Sequence, residues 1–353
     1  MKRMLILVVI TMLAGPLFAE EGVLIDFSAL TADITVRVSE DDTNDRPNQN
    51  RHTLMDFSQN AGGSYTPEQR GVMKTSLAIE QWEVQLASSS QTVESVGLSY
   101  TREAQSTQYG TVMGLRVRFP VEPFNSWAIV RPPFEIPAFE PQATIRDDGT
   151  IEPAEEDNNG ITSVSRFEAQ EDGEPAYGVI KNVGSIRSVA VRAYGLNFPH
   201  SLSTILIDNQ GNRKTVFMGY LEYDGWGELI WNNPQYIQEV RNRELRLYPL
   251  YPTSTPFIKF GGFLVQRDAA KAGGDFIVYF KDVRVIYDLA VLDTDRDIDD
   301  EALWGIIQTR ETARKNWEMT RFGQAQVLRY LEQQKQATEL PFNHPSRQQG
   351  DDQ

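Results

Sequence analysis

Five large aromatic residues fall within 17 positions: Tyr220, Tyr223, Trp226, Trp231 and Tyr236, beside Asn232 and Asn233. Exposed, such rings form a platform that stacks on sugars or anchors a protein partner, because Trp and Tyr dominate contact hot spots. Trp226, Trp231, Asn232, Asn233 and Tyr236 are therefore the candidate contacts for a glycan or a protein. A competing reading puts most of the aromatics in a core, as expected for Trp82 and Phe263. Trp226, between Gly225 and Gly227, reads as a loop residue.

Other chemistry finds fewer residues to work with. The three histidines, His52, His200 and His344, stand far apart, and there is no Cys. A zinc site or a His-based triad therefore lacks its ligand or base spacing. Gly62-Gly63-Ser64 does not sit between a strand and a helix as a nucleophile elbow does. Gly261-Gly262 and Gly273-Gly274 read as turns flanking strands, not phosphate loops. Asp293, Asp295, Asp297 and Asp299 alternate like calcium-loop ligands, but Ile298 holds the Gly position and Trp304 the final Glu position. A charged helix cap is the preferred reading. A glycosidase needs two facing carboxylates, and the 49 acids nominate no particular pair. No catalytic, cofactor or metal residue is assigned.

The elements that would carry these residues are mostly strands. Ser188–Tyr194 alternates apolar and polar side chains, as a half-buried strand does. LSTILI leads into the turn Asp208–Asn212, and KTVFMGYLEY resumes the strand, which is a hairpin signature. GGDFIVYFKDVRVIYD has the β-branched and aromatic density of a central strand. Further strands are expected at 23–27, 81–86, 93–100, 112–119 and 126–130, and an exposed strand at 240–250. Pro67 opens a short helix running to about Ser76 or Ile79. The four prolines of 131–141 exclude a central strand there. The fold class is mainly β: a jelly-roll-like sandwich of the carbohydrate-binding-module type with a C-terminal α-helical extension.

Residues 1–19 read as a secretory leader, with Lys2 and Arg3, the apolar run MLILVVITMLA, and cleavage between Ala19 and Glu20. The apolar run is shorter than the roughly 20 residues of a spanning helix. The remaining chain divides into a β-sandwich at 20–292 with an acidic loop near 146–175, a helical extension at 293–336 and a disordered tail at 337–353. Within the extension a helix is expected over 299–335, bent at Gly323. The chain carries 34 basic and 49 acidic residues, net −15, and loss of Lys2 and Arg3 makes it 32 against 49, or −17. Such a charge excludes non-specific binding to nucleic acid or anionic membrane. No membrane insertion is expected once the leader is removed.

Longer words carry a resemblance. YGVIKNVGSI, AYGLNFPH, FMGYL, ELIWNNPQYI, RLYPLYPTSTP, RDAAKAGGD, YFKDVRVIYD, LWGIIQTRETAR and FGQAQVLRYLEQ, with VLIDFSALTADI near the start, cover most of the chain. On these the chain resembles the spirochaete periplasmic flagellar filament outer-layer (sheath) proteins, FlaA. The resemblance implies a structural subunit of the periplasm that coats a flagellin core and tunes filament stiffness and shape. It brings no catalytic residues and no cofactor. The implied partners are the flagellin core filament, neighbouring copies and other sheath proteins. Trp304, Trp317 and Phe322 are more apolar than a free helix needs and become candidate contacts to the core or the next subunit. A periplasmic carbohydrate-binding role is the alternative, and the two coexist if the core is glycosylated.

Overall fold

The computed structural model describes residues 19–32, 53–137, 143–145, 151–153, 176–245, 256–290, 298 and 300–338. His52, His344, the Asp293–Asp299 run and, apart from Ala19, the leader lie outside them. The strands are β1 (Glu20–Asp26), β2 (Leu54–Asp56), β3 (Lys74–Ser76), β4 (Glu83–Leu86), β5 (Tyr100–Ser106) and β6 (Gly110–Phe119). Next come β7 (Ser126–Arg131), β8 (Ala143–Ile145), β9 (Ile151–Pro153), β10 (Val179–Lys181) and β11 (Val183–Leu196). The series ends with β12 (Ser201–Asp208), β13 (Arg213–Tyr220), β14 (Asp224–Asn232), β15 (Phe257–Arg267) and β16 (Gly274–Leu289).

Two six-stranded antiparallel sheets face each other. The first runs β14-β11-β16-β6-β5 with β1 added to β16; the second runs β13-β12-β15-β7-β4 with β10 added to β15. Read position by position, the two orders pair strands that are neighbours in sequence: β14 with β13, β11 with β12, β16 with β15, β6 with β7, β5 with β4. The chain thus crosses repeatedly from one sheet to the other, which is the jelly-roll-like sandwich expected. Only the hairpins β5–β6 and β12–β13 stay within a sheet among these ladder strands.

The two central strands meet in the middle. Phe263 of β15 and Phe280 of β16 stack at 4.1 Å and 17°. Phe260 meets Phe263 edge-on at 5.0 Å, Phe27 lies tilted 6.1 Å from Phe263 and edge-on to Trp82 and Phe260, and Trp82 donates its indole N–H to the Leu77 carbonyl at 2.7 Å. Each buried aromatic removes large apolar area from water at about 25 cal/mol per Å². This cluster is the main reason a chain without disulfides holds together.

Several sequence expectations change. Residues 93–97 form a helix, not a strand, because Thr92 and Ser95 make a reciprocal capping box; β5 begins only at Tyr100. The Pro67 helix ends at Gly71, since Met73 is drawn into the core and Lys74–Ser76 pairs with β2. Gly261 and Gly262 lie inside β15, at a bulge opposite Ile205 and Leu206, not in a turn. Tyr236–Leu245 is a helix rather than an exposed strand, and 246–250 lies outside the described residues. Ile151–Pro153 of the acidic insertion pairs with β8. The C-terminal helix breaks at Gly305 (φ 56°), between Asp300–Trp304 and Ile306–Thr338. Gly323 does not bend it; Gly323 is the point where the helix backbone presses on the side chain of Asn60.

His200 is buried against Phe276 at 4.6 Å and Phe119 at 5.0 Å. Neither ring nitrogen finds a partner among the described residues. Burial, with Arg267 adding a like charge, lowers its pKa from 6.5 to about 4. The folded state therefore refuses a proton that the unfolded chain accepts below 6.5. Stability from this residue is whole above 6.5 and is lost as pH falls toward 4, by about 3 kcal/mol. In urea unfolding, the wild type should lose about 3 kcal/mol more than His200→Phe between about pH 7.5 and about pH 4. Equal losses would show that His200 does not set the acid limb.

Candidate functional site

β14 places the nominated aromatics, and its register separates them. Trp226 pairs with Tyr194 and Asn232 with Ser188, so both lie on the outer face of the first sheet. Six residues of strand, about 20 Å, divide them. Trp231, five residues from Trp226, points the opposite way and packs on the core, with the Lys214 ammonium 5.3 Å from its ring centre. Asn233 is buried and donates to the Ile186 carbonyl at 2.8 Å and to Glu239 at 2.9 Å, which fixes the turn into the helix at Tyr236. Tyr236 donates its hydroxyl to Asp288 at 2.8 Å. Asn233 and Tyr236 are structural, and the five residues do not form one platform.

Trp226 is a strand residue rather than a loop residue, and it is half-buried. Tyr109 and Tyr194 meet it edge-on at 4.8 Å and 5.4 Å, with interplanar angles near perpendicular (79° and 77°). The Arg192 guanidinium lies 5.2 Å from the Tyr109 ring. Rings set edge-to-face satisfy each other and offer no coplanar shelf to a sugar. The same face exposes Ile230 and carries ion pairs: Arg192–Asp282 at 3.3 Å, Arg284–Glu21 at 2.9 Å, Arg116–Asp275 at 2.9 Å and Arg118–Asp275 at 3.1 Å. Burial pushes the Asp282 carboxyl above its ordinary range, against the pull of Arg192. Neutralised in pairs, this surface is well suited to water.

The outer face of the second sheet is different. Ile205 and Ile207 of β12, Ile129 of β7 and Leu264 of β15 point outward from it. On the edge strand β13, Phe217 and Tyr220 are exposed and touch at 5.6 Å. The alternation Val216 in, Phe217 out, Met218 in is the sequence signal for Phe217. Over part of this face lies the helix Ile306–Thr338. Phe322 packs edge-on between Phe57 (5.9 Å) and Phe134 (5.6 Å), and Gln326 donates to the Pro133 carbonyl at 3.0 Å. Phe322 is therefore an internal contact that anchors the helix, half-buried and at the edge of the groove described below. Trp304 and Trp317, by contrast, remain exposed.

Between this helix and the sheet runs a groove of about 680 Å³. Ile129, Ile205 and Ile207 form its floor, and Trp317, Met319 and Phe322 line the helix side. Among the described residues no group of three or more His, Asp or Glu is placed to hold a metal ion. No described helix is long and apolar enough to cross a membrane.

The family model described as Flagellar filament outer layer protein Flaa matches residues 46–296. The chain belongs to that family. A flagellar filament outer layer protein of Treponema pallidum is 47% identical over 97% of this chain and 96% of its own length. One from Spirochaeta aurantia is 44% identical over 92% and 90%. One from Borreliella burgdorferi is 29% identical over 71% and 67%. Among solved structures, a carbohydrate-binding module of the β-sandwich superfamily aligns with TM-score 0.29 and 9% identity, covering 59% of this chain and 57% of that one. The flagellar filament outer layer family is not a known enzyme family. Among the described residues, large apolar side chains exposed to solvent include Ile230 of the first sheet, Phe217 and Tyr220 of the second, and Trp304 and Trp317 of the C-terminal helices.

Proposed function

We propose that the protein is an exported structural subunit that coats a flagellin core in the periplasm and so contributes to filament stiffness, shape and motility. The observation that carries this reading is the 47% identity, over nearly the whole chain, to a flagellar filament outer layer protein. The two unlike outer faces support it. The first sheet carries several ion pairs on its outer face, and the second carries a groove with an apolar floor, which a subunit laid against a surface can use. Each contact is weak, and repetition along a filament supplies the avidity. The carbohydrate-binding alternative loses its main support, because Trp226 and Trp231 face opposite ways.

Residues 20–353 should pellet saturably with purified flagellin core filaments and thicken them under the electron microscope. Raising the salt should weaken the association in proportion to its electrostatic share. Absence of pelleting with glycosylated native cores at low salt would overturn the coating role for the isolated subunit.

A further inference from the structure

The first sheet ends in an uncovered strand edge. β14 pairs with β11 along nine residues without a register shift, and no described strand lies on its other side. Hydrogen bonds just beyond each end of the strand fix which backbone groups face which way. The Asn233 N–H donates to the Arg187 carbonyl at 2.9 Å, and the Asn197 N–H donates to the Tyr223 carbonyl at 2.8 Å. Both bonds continue the β14–β11 register, so the odd-numbered residues from Tyr223 to Asn233 turn their N–H and C=O groups toward β11. Asp224, Trp226, Glu228, Ile230 and Asn232 turn theirs the other way. Those five N–H and five C=O groups find no hydrogen-bond partner among the described residues.

Edges of this kind recruit other strands unless short length, Lys, Pro or a bulge blunts them. The second sheet follows that rule: β4 has four residues, and β13 opens on the exposed cations Arg213 and Lys214. β14 has no Lys, Arg or Pro. The chain that follows turns away from the open edge, because Asn233 donates to the Ile186 carbonyl and Tyr236 donates to Asp288. Leu229 and Trp231 point toward the core yet stay only half-buried at this edge, and Ile230 is 52% exposed on the outer face.

We propose that β14 of one copy pairs antiparallel with β14 of a second, joining the two first sheets across a two-fold axis. Full overlap sets Glu228 opposite its own counterpart and brings edge-facing residues together on both strands. That is the parity a hydrogen-bonded ladder requires, so every free backbone group of the edge is satisfied. The side chains agree with this register. On the outer face Trp226 meets Ile230 of the second copy, an aromatic and β-branched pair. The exposed Asp224 carboxylate meets the exposed Asn232 amide, which donates to it. Each central Glu228 is already held by Arg284 and lies 3.8 Å from Arg192, so the two like charges are neutralised before they meet. On the core side Trp231 and Leu229 fall opposite Gly225 and Gly227, and nothing lies within 4 Å of the Gly225 Cβ position, which leaves space for the indole. The contact is isologous and closes at a dimer. As the repeating unit of a filament layer the dimer rests on the coating reading; as a contact between two copies it does not.

The test uses sedimentation velocity on residues 20–353 without any flagellin, over a range of concentrations. The wild type should pass from monomer to dimer and stop there. Ile230→Pro removes an N–H that faces the open edge, so the monomer loses no hydrogen bond of its own and should stay folded by circular dichroism. By symmetry the dimer loses two hydrogen bonds and should form about tenfold or more weakly. Introduced cysteines read the register separately, because the chain has none of its own. Glu228→Cys should form a disulfide with its own counterpart, since Cα atoms of a hydrogen-bonded pair lie about 5.5 Å apart. Asn232→Cys should not, since full overlap holds its two copies about 26 Å apart; mixed with Asp224→Cys, it should crosslink. A wild type that stays monomeric, an Ile230→Pro dimer as strong as the wild type, or Asn232→Cys crosslinking with itself would each overturn the proposal. Binding to cores by a protein that never dimerises would remove this contact and leave the coating role standing.

Discussion

Gly262→Ala should cost about 4 kcal/mol, a large loss for a single added methyl group. Gly262 has a φ of 125°, which side-chain-bearing residues reach only with strain of about 1–3 kcal/mol. Its missing Cβ would also drive into the Val130 carbonyl and the backbone of Arg131 on the neighbouring strand β7. Overpacking against backbone adds a further 1–3 kcal/mol or so, and here no flexible side chain can swing aside. β15 is a central strand of the second sheet, so moving β7 away breaks the ladder that holds Leu264 opposite Ile129. Against a total stability of about 5–15 kcal/mol, the loss is severe. Gly110→Ala is the control: its φ is 70°, yet nothing lies within 4 Å of its Cβ position, so only the backbone strain remains. Urea unfolding should separate the two variants by about 2 kcal/mol or more. Equal midpoints would mean that β7 yields freely and the close approach is not what holds this bulge.

The sandwich was legible where period two was unbroken. β11, β12, β13 and β16 each alternate or run apolar over many residues, and each stands where the pattern places it. Errors came where local chemistry overrode the pattern. Val93 and Val96 look like strand residues, but Thr92 caps a helix turn and leaves both valines exposed. The alternating arginines at 240–246 imitate an exposed strand, although Tyr236–Leu245 folds as a helix beginning at the Asn233 turn. Gly225 and Gly227 imitate a loop around Trp226. Gly227 is small because the Tyr223 ring lies over it, and Gly225 takes a φ of 100° with open space at its Cβ position.

The candidate site was less legible than the fold for a physical reason. Whether Trp226 and Trp231 cooperate depends on parity along one strand, and once the segment is read as a strand, a separation of five forbids it. The groove gave no local signal at all. Its walls come from residues as far apart as Leu54 and Arg329, brought together only by the jelly-roll crossings and the returning helix. What the sequence did carry was the composition of each wall: the outward isoleucines of β12, the arginines of the helix, and Trp317.

Phe322→Asp should detach the helix Ile306–Thr338 while leaving the sandwich folded. The helix is held through one face: Phe322 between Phe57 and Phe134, Gly323 against Asn60, the Asn60 amide on the Met319 carbonyl, Gln326 on Pro133, and Arg329 with Glu83. The central cluster of Phe27, Phe260, Phe263 and Phe280 lies between the sheets and does not include it. Removing a packed Phe costs about 3–5 kcal/mol, and the new carboxylate resists reburial in an apolar notch. A loss of about 3 kcal/mol multiplies the detached population about a hundredfold or more. Limited proteolysis should then cut within 306–338 at a correspondingly higher rate, because cleavage follows the open fraction. The thermal midpoint of the sandwich should stay close to that of the wild type. The groove would lose the wall formed by Trp317, Met319 and Phe322. Unchanged protease resistance would show that Phe322 is not the anchor, and loss of the whole fold would show that helix and sandwich are one cooperative unit.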